Sequence, residues 1–551
     1  MTSRPAFFFG AALVVLLALL LCLIPKPEND LFFELRIGTD ILQTHHLPRF
    51  DTYSWTEHGR RWDVPEWGAM TLYALAFRWG GFFGTWLLMA VLAVAAALLV
   101  WETLLRKVGP AWAFGLTTLT LLAMSDTLQE RPYAFSYVLL ALGLRIVVNA
   151  RETRLRRLLW LLPLCVVWGS LHQGVLVLVG LLAVSGLGDA LGGLWGHRRV
   201  PRRAWIMLGM AGACAAAVLI NPYGWRLYLN VLITLRDHAL MANVTEWNPV
   251  TVLPLRQLQP FLAVSVCIFG ALLFSRKRSL PDALAAAALL MNALLHARNI
   301  ALFAIGGMIL ASVHLPSAIE RLRLAVGFSG QSPLLKPILG LFAGLIMLST
   351  ALVSLASLHR AIGPRGYSPE GIGEAAARVP RFPSKAVGFV KANQFPPHLR
   401  LLNDFETGGY LLWTLPSEPV SIDGRLDVYT GRTFDDMLIL SRDAGTPRWK
   451  ALVAQYDFEC VLTENKPVAE AFGADPNWQL VFAYPGPQTG RKPHEWVLLR
   501  RKKAFAPLIA RCLAAQVTQQ SGGANAQTFP RNTVAVGRGS AKEEMYLLVS
   551  N

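Results

Sequence analysis

Up to residue 358 the sequence is a succession of apolar stretches, mostly about fifteen to twenty-four residues long, separated by short loops bearing clusters of arginine and lysine. A helix rises about 1.5 Å per residue and needs roughly 20 apolar residues to cross a hydrocarbon layer about 30 Å thick. One chain repeating that length so often reads as a polytopic α-helical membrane protein. Composition agrees, with 54% hydrophobic and 16% charged residues, where soluble domains carry roughly a quarter charged. The net charge of +17 is divided among small clusters between apolar spans, which is a topology signal and excludes a nucleic-acid-binding face. Four cysteines (Cys22, Cys165, Cys214, Cys267) lie in apolar stretches, and Cys460 and Cys512 stand far apart in polar sequence. Neither a disulfide framework nor zinc-finger spacing follows from that arrangement.

Residues 6–24 form the first candidate span. A signal peptide is the alternative, but Pro25, Lys26 and Pro27 follow where a small-residue cleavage site belongs, so the segment reads as retained. Further candidates are 82–105, 110–124, 132–149, 158–171, 174–195, 204–220, 259–275, 280–296, 299–315 and 336–358, about eleven spans in all. With a cytoplasmic N-terminus, all the main basic clusters fall on the cytoplasmic side: Arg106-Lys107, Arg151 to Arg157, Arg198 to Arg203, Arg276 to Arg278, and Arg321 with Arg323. The same count places everything after residue 358 outside. Residues 66–79 are too short for a comfortable crossing and carry Trp67 and Trp79, so they read as an interfacial helix, with a short tilted span as the alternative.

The outer loops then hold nearly all the polar chemistry. The first, residues 25–81, contains Glu28, Asp30, Glu34, Asp40, Asp51, Glu57, Asp63 and Glu66. Residues 31–43 are apolar on a broad face and group Glu34, Arg36 and Asp40 for water, a second helix along the membrane. Other outer loops carry Asp126, Glu130 and Arg131; His172; and Arg298. After residue 364 the pattern becomes that of a soluble α/β domain reaching about residue 505, with strands expected near 399–403, 418–423, 458–463, 478–484 and 496–500 and helices near 384–394, 433–443 and 447–456. Residues 517–551 are rich in Gln, Ser, Gly and Asn and read as a disordered tail.

Asp30, just outside the first span, is placed to act on a lipid-linked substrate at the headgroup level. There it would serve as general base toward an acceptor hydroxyl while Arg131 and Arg298 hold the donor phosphate as its leaving charge develops. The bland alternative is that Asp30 caps the following helix. The layout resembles the GT-C superfamily of integral-membrane glycosyltransferases, whose first outer loop carries two membrane-parallel helices and an essential acid near its start. More narrowly, it resembles bacterial GT-C-type membrane proteins with a D-x-W-W-H-L-R-x-G, P-x-x-D-x-x-S and W-x-x-x-E-W pattern. Here these read Asp30 to Gly38, Pro48 to Ser54 and Trp62 to Trp67, with Phe32, Phe33 and Glu34 departing from Trp-Trp-His. Later matches are Arg131-Pro132, Trp168 to Gly174, Asn221 to Trp225, Glu246 to Pro249, Ala297 to Asn299, Asn403 to Tyr410 and Ser421 to Arg425.

The resemblance implies a membrane transferase of the bacterial inner membrane, with an extracytoplasmic C-terminal domain. It would move a sugar from a polyprenyl-phosphate or diphosphate carrier to a glycan, lipid or protein acceptor. Glu34, Arg36, Asp51, Glu66, His172, Asp404, Tyr410, Asp423 and Arg425 complete the candidate residues. Gly408 and Gly409 are expected between strand and helix, allowing close backbone approach or positive φ. Asp404 and Asp423-Gly424-Arg425 equally suit an ion pair and turn that fix the soluble domain, and His172 equally suits a structural histidine. Asp30, Asp51, Asp126 and Glu130 supply hard oxygen atoms that would suit Mg²⁺ or Mn²⁺. The other class left open is a non-enzymatic envelope assembly or transport component on the same scaffold. Against a transporter, the ionisable groups gather at one membrane face and not at the midplane.

Overall fold

The computed structural model describes residues 4–24, 26, 29–236, 247–325, 335–362, 368–376, 382–429, 431–484 and 495–521. The expected linker at 363–366, Glu246 and the tail beyond 521 lie outside the described residues. The chain forms two compact units, Met1–Lys26 with Val64–Leu232 and Met241–Ala377, and Pro27–Asp63 with Ile233–Leu240 and Arg378–Asn551. Unlike the domains expected at 1–358 and 364–505, this division groups the first loop from Pro27 to Asp63 with the C-terminal segment.

The helices of the first part of the chain run α1 (Arg4–Cys22), α2 (Asp30–Thr44), α3 (Trp67–Val108), α4 (Pro110–Met124), α5 (Tyr133–Glu152), α6 (Leu161–Leu171), α7 (Val175–His197) and α8 (Arg202–Val218). There follow α9 (Arg226–Arg236), α10 (Leu255–Phe274), α11 (Leu280–Leu295), α12 (Ile300–Ala311), α13 (Leu315–Ala325), α14 (Leu335–Ile362) and α15 (Pro369–Ala376). Of these α2 belongs to the second unit, and α9 crosses the division. Helix α12 is apolar on every face and buried at every residue, and it packs against α4, α5, α10 and α11. A helix hydrophobic all round has no side to give to water, so it occupies the centre. Around it, Trp195 is 90% and Val266 72% exposed, apolar surface that suits lipid.

Each of the eleven expected spans falls on a helix, and the chain is a multi-pass membrane protein. Among the described residues, five helices are long and apolar enough to cross a membrane, or six if the pair Ala297–Ala311 and Leu315–Ala325, bent by 77°, is one span. The expected span at 158–171 is helical in the α sense only as α6, after a 3₁₀ turn over Leu155–Trp160. Helix α3 is broken at Gly80 (φ −144°, ψ 21°) and Gly81 (φ 57°, ψ −148°), so residues 67–79 form a helix distinct from the span that follows. The Gly81 conformation is one that only glycine adopts at low cost.

The second unit adds α16 (Ser384–Ala392), β1 (Leu401–Asn403), α17 (Phe405–Thr414), α18 (Arg432–Arg442), α19 (Pro447–Tyr456), β2 (Cys460–Thr463), α20 (Lys466–Gly473), β3 (Trp478–Tyr484), β4 (Glu495–Arg500) and α21 (Ala506–Ser521). The sheet order is β1-β2-β4-β3, with β1 parallel to β2 and the other pairs antiparallel. The stretch 418–423 is not a strand of this sheet; Val420 makes a single parallel bridge, to Ser54 of the first loop. Residues 517–521 are the last turn of α21, whose Leu508 and Cys512 are buried. The first loop is tied in by the indole of Trp55 donating to the Leu401 carbonyl (2.9 Å), Thr56 Oγ1 donating to Ser421 O (2.6 Å) and Trp62 Nε1 donating to Asp427 (3.0 Å).

Candidate functional site

The sequence-derived candidates fall into two groups, one in each unit. In the second unit Asp51, Asp423 and Arg425 are brought together from opposite ends of the chain. Arg425 donates through Nε and Nη2 to the two oxygens of Asp423 (2.8 and 2.6 Å) and through Nη1 to Asp51 (2.5 Å). Asp51 also accepts from the Tyr53 and Ser54 backbone N–H groups and from the Ser54 hydroxyl, and Tyr429 donates its hydroxyl to Asp423. The rings of Tyr53 and Trp62 cover the guanidinium at 5.1 and 4.8 Å. Asp51 and Asp423 are fully buried and Arg425 is 2% exposed. Burial alone would lower the Arg425 pKa, but Asp423, Tyr429 and Asp51 hold it well above the usual value. All three candidates are therefore committed to one another.

Asp30 lies against the turn of this knot. A Cβ on Gly424 would fall 2.1 Å from Asp30 Oδ1, so only glycine lets the carboxylate rest there. Asn29, not Asp30, occupies the N-cap of α2; Asp30 is the acid of its first turn, where the helix dipole favours a negative charge. Gly408 and Gly409 lie inside α17 without positive φ, which corrects the expected position between strand and helix. Close approach is their use, since a Cβ on Gly408 would sit 2.0 Å from the Ile422 carbonyl and one on Gly409 2.8 Å from that of Asn29. Tyr410 is buried, stacked on Phe382 and edge-on to Phe32, so the departure Phe32 serves an aromatic core. Glu34 is buried, and Arg36 pairs with Asp40 at 3.0 Å. Asp404 accepts from Thr463 Oγ1 and the Glu464 N–H, and burial raises its pKa.

In the first unit His172, at the end of α6, is the centre of the other group. Its Nδ1 accepts from the Gly174 N–H (2.9 Å) and from the Ser136 hydroxyl (2.7 Å), which itself accepts from the Trp168 indole (2.8 Å). With Nδ1 committed as acceptor, the proton sits on Nε2, which faces Glu66 Oε1 at 3.3 Å. Burial, with Arg298 and then Arg131 adding to it, pushes the His172 pKa down to about 3, so the imidazole is neutral. The positive charges of both predicted phosphate-binding arginines thus act on this one ring. Arg131 is held beside Tyr133 (5.5 Å) and its carbonyl accepts from Tyr73. Arg298 lies over the Trp247 ring at 4.8 Å, and the Trp247 carbonyl accepts from His296 Nδ1 at 3.0 Å.

Asp126 is exposed in a 3₁₀ turn, whereas Glu130 is 4% exposed. Burial pushes the Glu130 carboxyl up to about 7, against a lowering pull from Lys26, and Glu130 Oε1 has no hydrogen-bond partner among the described residues. The donor set does not fit a metal centre. Among the described residues no group of three or more His, Cys, Asp or Glu side chains could hold one ion, and Asp51 is spent on Arg425. Sequence reasoning missed Ser136 and Tyr429, and held Trp168 and Trp247 only as parts of matched motifs. The expected ion pair and turn at Asp423-Gly424-Arg425 pointed to part of the knot, but Asp404 is no member of it and Asp51 is.

No family model and no curated protein matches the sequence. Solved structures do match the fold. The Archaeoglobus fulgidus oligosaccharyltransferase tethered to an acceptor peptide superposes with a TM-score of 0.52 at 13% identity, over 89% of this chain and 74% of that one. Its apo form gives 0.50 at 12% identity, over 94% and 78%. ArnT from Cupriavidus metallidurans bound to undecaprenyl phosphate gives 0.48 at 13% identity, over 89% and 97%. The chain thus shares the fold of the A. fulgidus structures. The chain has the GT-C fold.

Proposed function

We propose that the protein is a membrane glycosyltransferase that moves a sugar from a polyprenyl-phosphate or diphosphate carrier to an acceptor on the extracytoplasmic face. The observation that carries this reading is the GT-C fold, shared with the A. fulgidus oligosaccharyltransferase; in support, the positive charges of Arg131 and Arg298 both act on the buried, neutral His172 imidazole. In this reading the two guanidiniums hold the donor phosphate and stabilise its leaving charge. Asp30 takes the proton of the acceptor hydroxyl, which then attacks the anomeric carbon as the bond to phosphate breaks. No metal enters the steps assigned to these residues. The acceptor is a glycan, a lipid or a protein; the A. fulgidus enzyme was solved with an acceptor peptide.

Asp30→Asn removes basicity at constant shape and is expected to abolish transfer while leaving folding and undecaprenyl-phosphate binding intact. Arg298→Ala should instead weaken that binding by about 1.5–3 kcal/mol, the worth of a charge-assisted hydrogen bond. Glycan profiling of a deletion strain complemented with each variant, beside lipid binding by the purified proteins, reads both. Full complementation by Asp30→Asn would remove the base and favour a non-enzymatic envelope component.

The proposed topology has eleven spans in the bacterial inner membrane, with the N-terminus inside and the C-terminal segment outside. Cysteines placed at Ser384 and Ser279 should label outside and not outside, respectively, in intact cells. The reverse pattern would overturn the count.

A further inference from the structure

Three glycines meet where α2 begins, and they differ in what a side chain on each would displace. In α17, a Cβ on Gly408 would run first into the Ile422 carbonyl and then the Asp423 Cα at 2.8 Å, and one on Gly409 into the Asn29 carbonyl at 2.8 Å and the Phe33 nitrogen at 3.4 Å. Both obstacles are backbone. In the turn that follows Ile422, the atoms a Cβ on Gly424 would meet are Asp30 Oδ1, Phe33 Cε1 and Asp30 Cγ, all of them side chain. None of the three glycines has a positive φ, so their use is close approach and not backbone freedom. An alanine at 424 would therefore leave the backbone where it is and push the Asp30 carboxylate aside.

The turn itself is fastened on both sides of Gly424. Asn403 Nδ2 donates to the Ile422 carbonyl (2.8 Å), the Arg425 N–H donates to Asp423 Oδ1 (2.9 Å), and the Gly424 carbonyl accepts from the Leu426 N–H (2.9 Å). Arg425 is held in turn by Asp423 and Asp51, and all three are buried. A satisfied buried network is rigid, so the bare backbone against which Asp30 rests does not yield. A carboxylate serving only the α2 dipole needs no such seat, because the dipole acts on its charge and not on its direction. A general base does need one, since it must reach its proton at hydrogen-bond distance.

We propose that Gly424 is a positioning residue for Asp30: held by the Asp423–Arg425–Asp51 knot, it sets where the Asp30 carboxylate points. This rests on the reading of Asp30 as the base. Gly424 touches no reacting atom and acts only through Asp30. The buried knot thereby serves the reaction without offering a ligand anything itself.

The test adds full-length protein in nanodiscs to membranes of the deletion strain, which hold the unused donor and the acceptor, and follows transfer as the amount of membrane is raised. A misplacement of about 1 Å costs on the order of 100-fold in rate, so Gly424→Ala should lower the maximal rate per folded molecule by about that factor. The half-saturating amount of membrane and the affinity for undecaprenyl phosphate should stay within about twofold of the wild type, with unchanged cooperative melting. A wild-type maximal rate in Gly424→Ala, beside an inactive Asp30→Asn, would overturn the proposal. So would a rate that falls only in proportion to the folded fraction, as for a glycine that merely serves packing. Should Gly424→Ala not fold, the double variant Asp30→Ala/Gly424→Ala decides, since two changes acting through one contact are not additive. A double variant that folds identifies the carboxylate as the obstacle, and one that fails like the single variant refutes it. Failure of the underlying reading looks different, because Asp30→Asn would then transfer at the wild-type rate.

Discussion

The Arg425 knot and the His172 cluster use similar residue types for opposite ends. In the knot one guanidinium meets two carboxylates, a tyrosine hydroxyl, and two aromatic faces, and every charge is buried and answered from within the unit. In the cluster the charges of two guanidiniums act on a buried ring that stays neutral, beside a carboxylate that is still a quarter exposed. The knot has nothing left to offer a ligand. The cluster retains atoms that solvent reaches beside a strongly perturbed imidazole, and that combination marks a binding site better than burial or residue type does.

The largest expected effect tests the first half of that contrast. Arg425→Met leaves Asp51 and Asp423 buried together without their cation, and removing one partner of a buried pair costs about 3–5 kcal/mol. The variant should lose the cooperative melting and protease resistance of the C-terminal segment while the helical membrane unit still expresses. Unchanged melting would mean that the knot does not hold its unit together, and would return Arg425 to the functional candidates.

A slightly smaller effect concerns Glu130, the buried acid beside Arg131 in sequence. Its pKa in the folded protein, about 7, lies above the ordinary 4.5. The folded state therefore holds this proton more tightly than the unfolded one. The stabilisation from this group is complete below about pH 4.5 and is lost as pH rises through 7, a swing of about 3 kcal/mol if the full shift is expressed. Glu130→Gln should raise the melting temperature at pH 8 and change it little at pH 4.5. An equal change at both values would show that Glu130 is charged throughout, as in an ion pair with Lys26.

The helical spans and four of the five expected strands were legible because apolar periodicity is a local property, visible within a window of a turn or two. What escaped notice depends on partners far apart in sequence. Nothing near Asp51 announces that its cation lies at Arg425, and nothing near Trp55 announces that its indole bonds to Leu401. The glycines were legible as tight-contact residues but not as helix-interior ones, because the reason for them is the Ile422 carbonyl and not the local backbone. Arg131, His172 and Arg298 were each legible singly, from charge at loop ends. The action of both charges on one imidazole required the helices to be folded, and nothing within the matched stretch Trp168 to Gly174 announces that Ser136 links its tryptophan to its histidine.

The smallest effect sharpens the second half of the contrast, by asking whether the cluster's positive charge must also be held in place. Arg298 is seated on the Trp247 ring at 4.8 Å, and the same residue's carbonyl is fastened by His296. A cation over an indole face is worth about 0.5–2 kcal/mol. Trp247→Leu keeps bulk and apolarity but removes the quadrupole, so undecaprenyl-phosphate affinity should fall roughly 2- to 30-fold, since about 1.4 kcal/mol is tenfold. Trp247→Phe, with a weaker ring, should fall between leucine and wild type. That order, with Arg298→Ala at or beyond the leucine value, means that the tryptophan acts through the arginine. A loss for Trp247→Leu added on top of Arg298→Ala in the double variant would mean that Trp247 touches the lipid itself, because two residues acting through one contact cannot lose it twice.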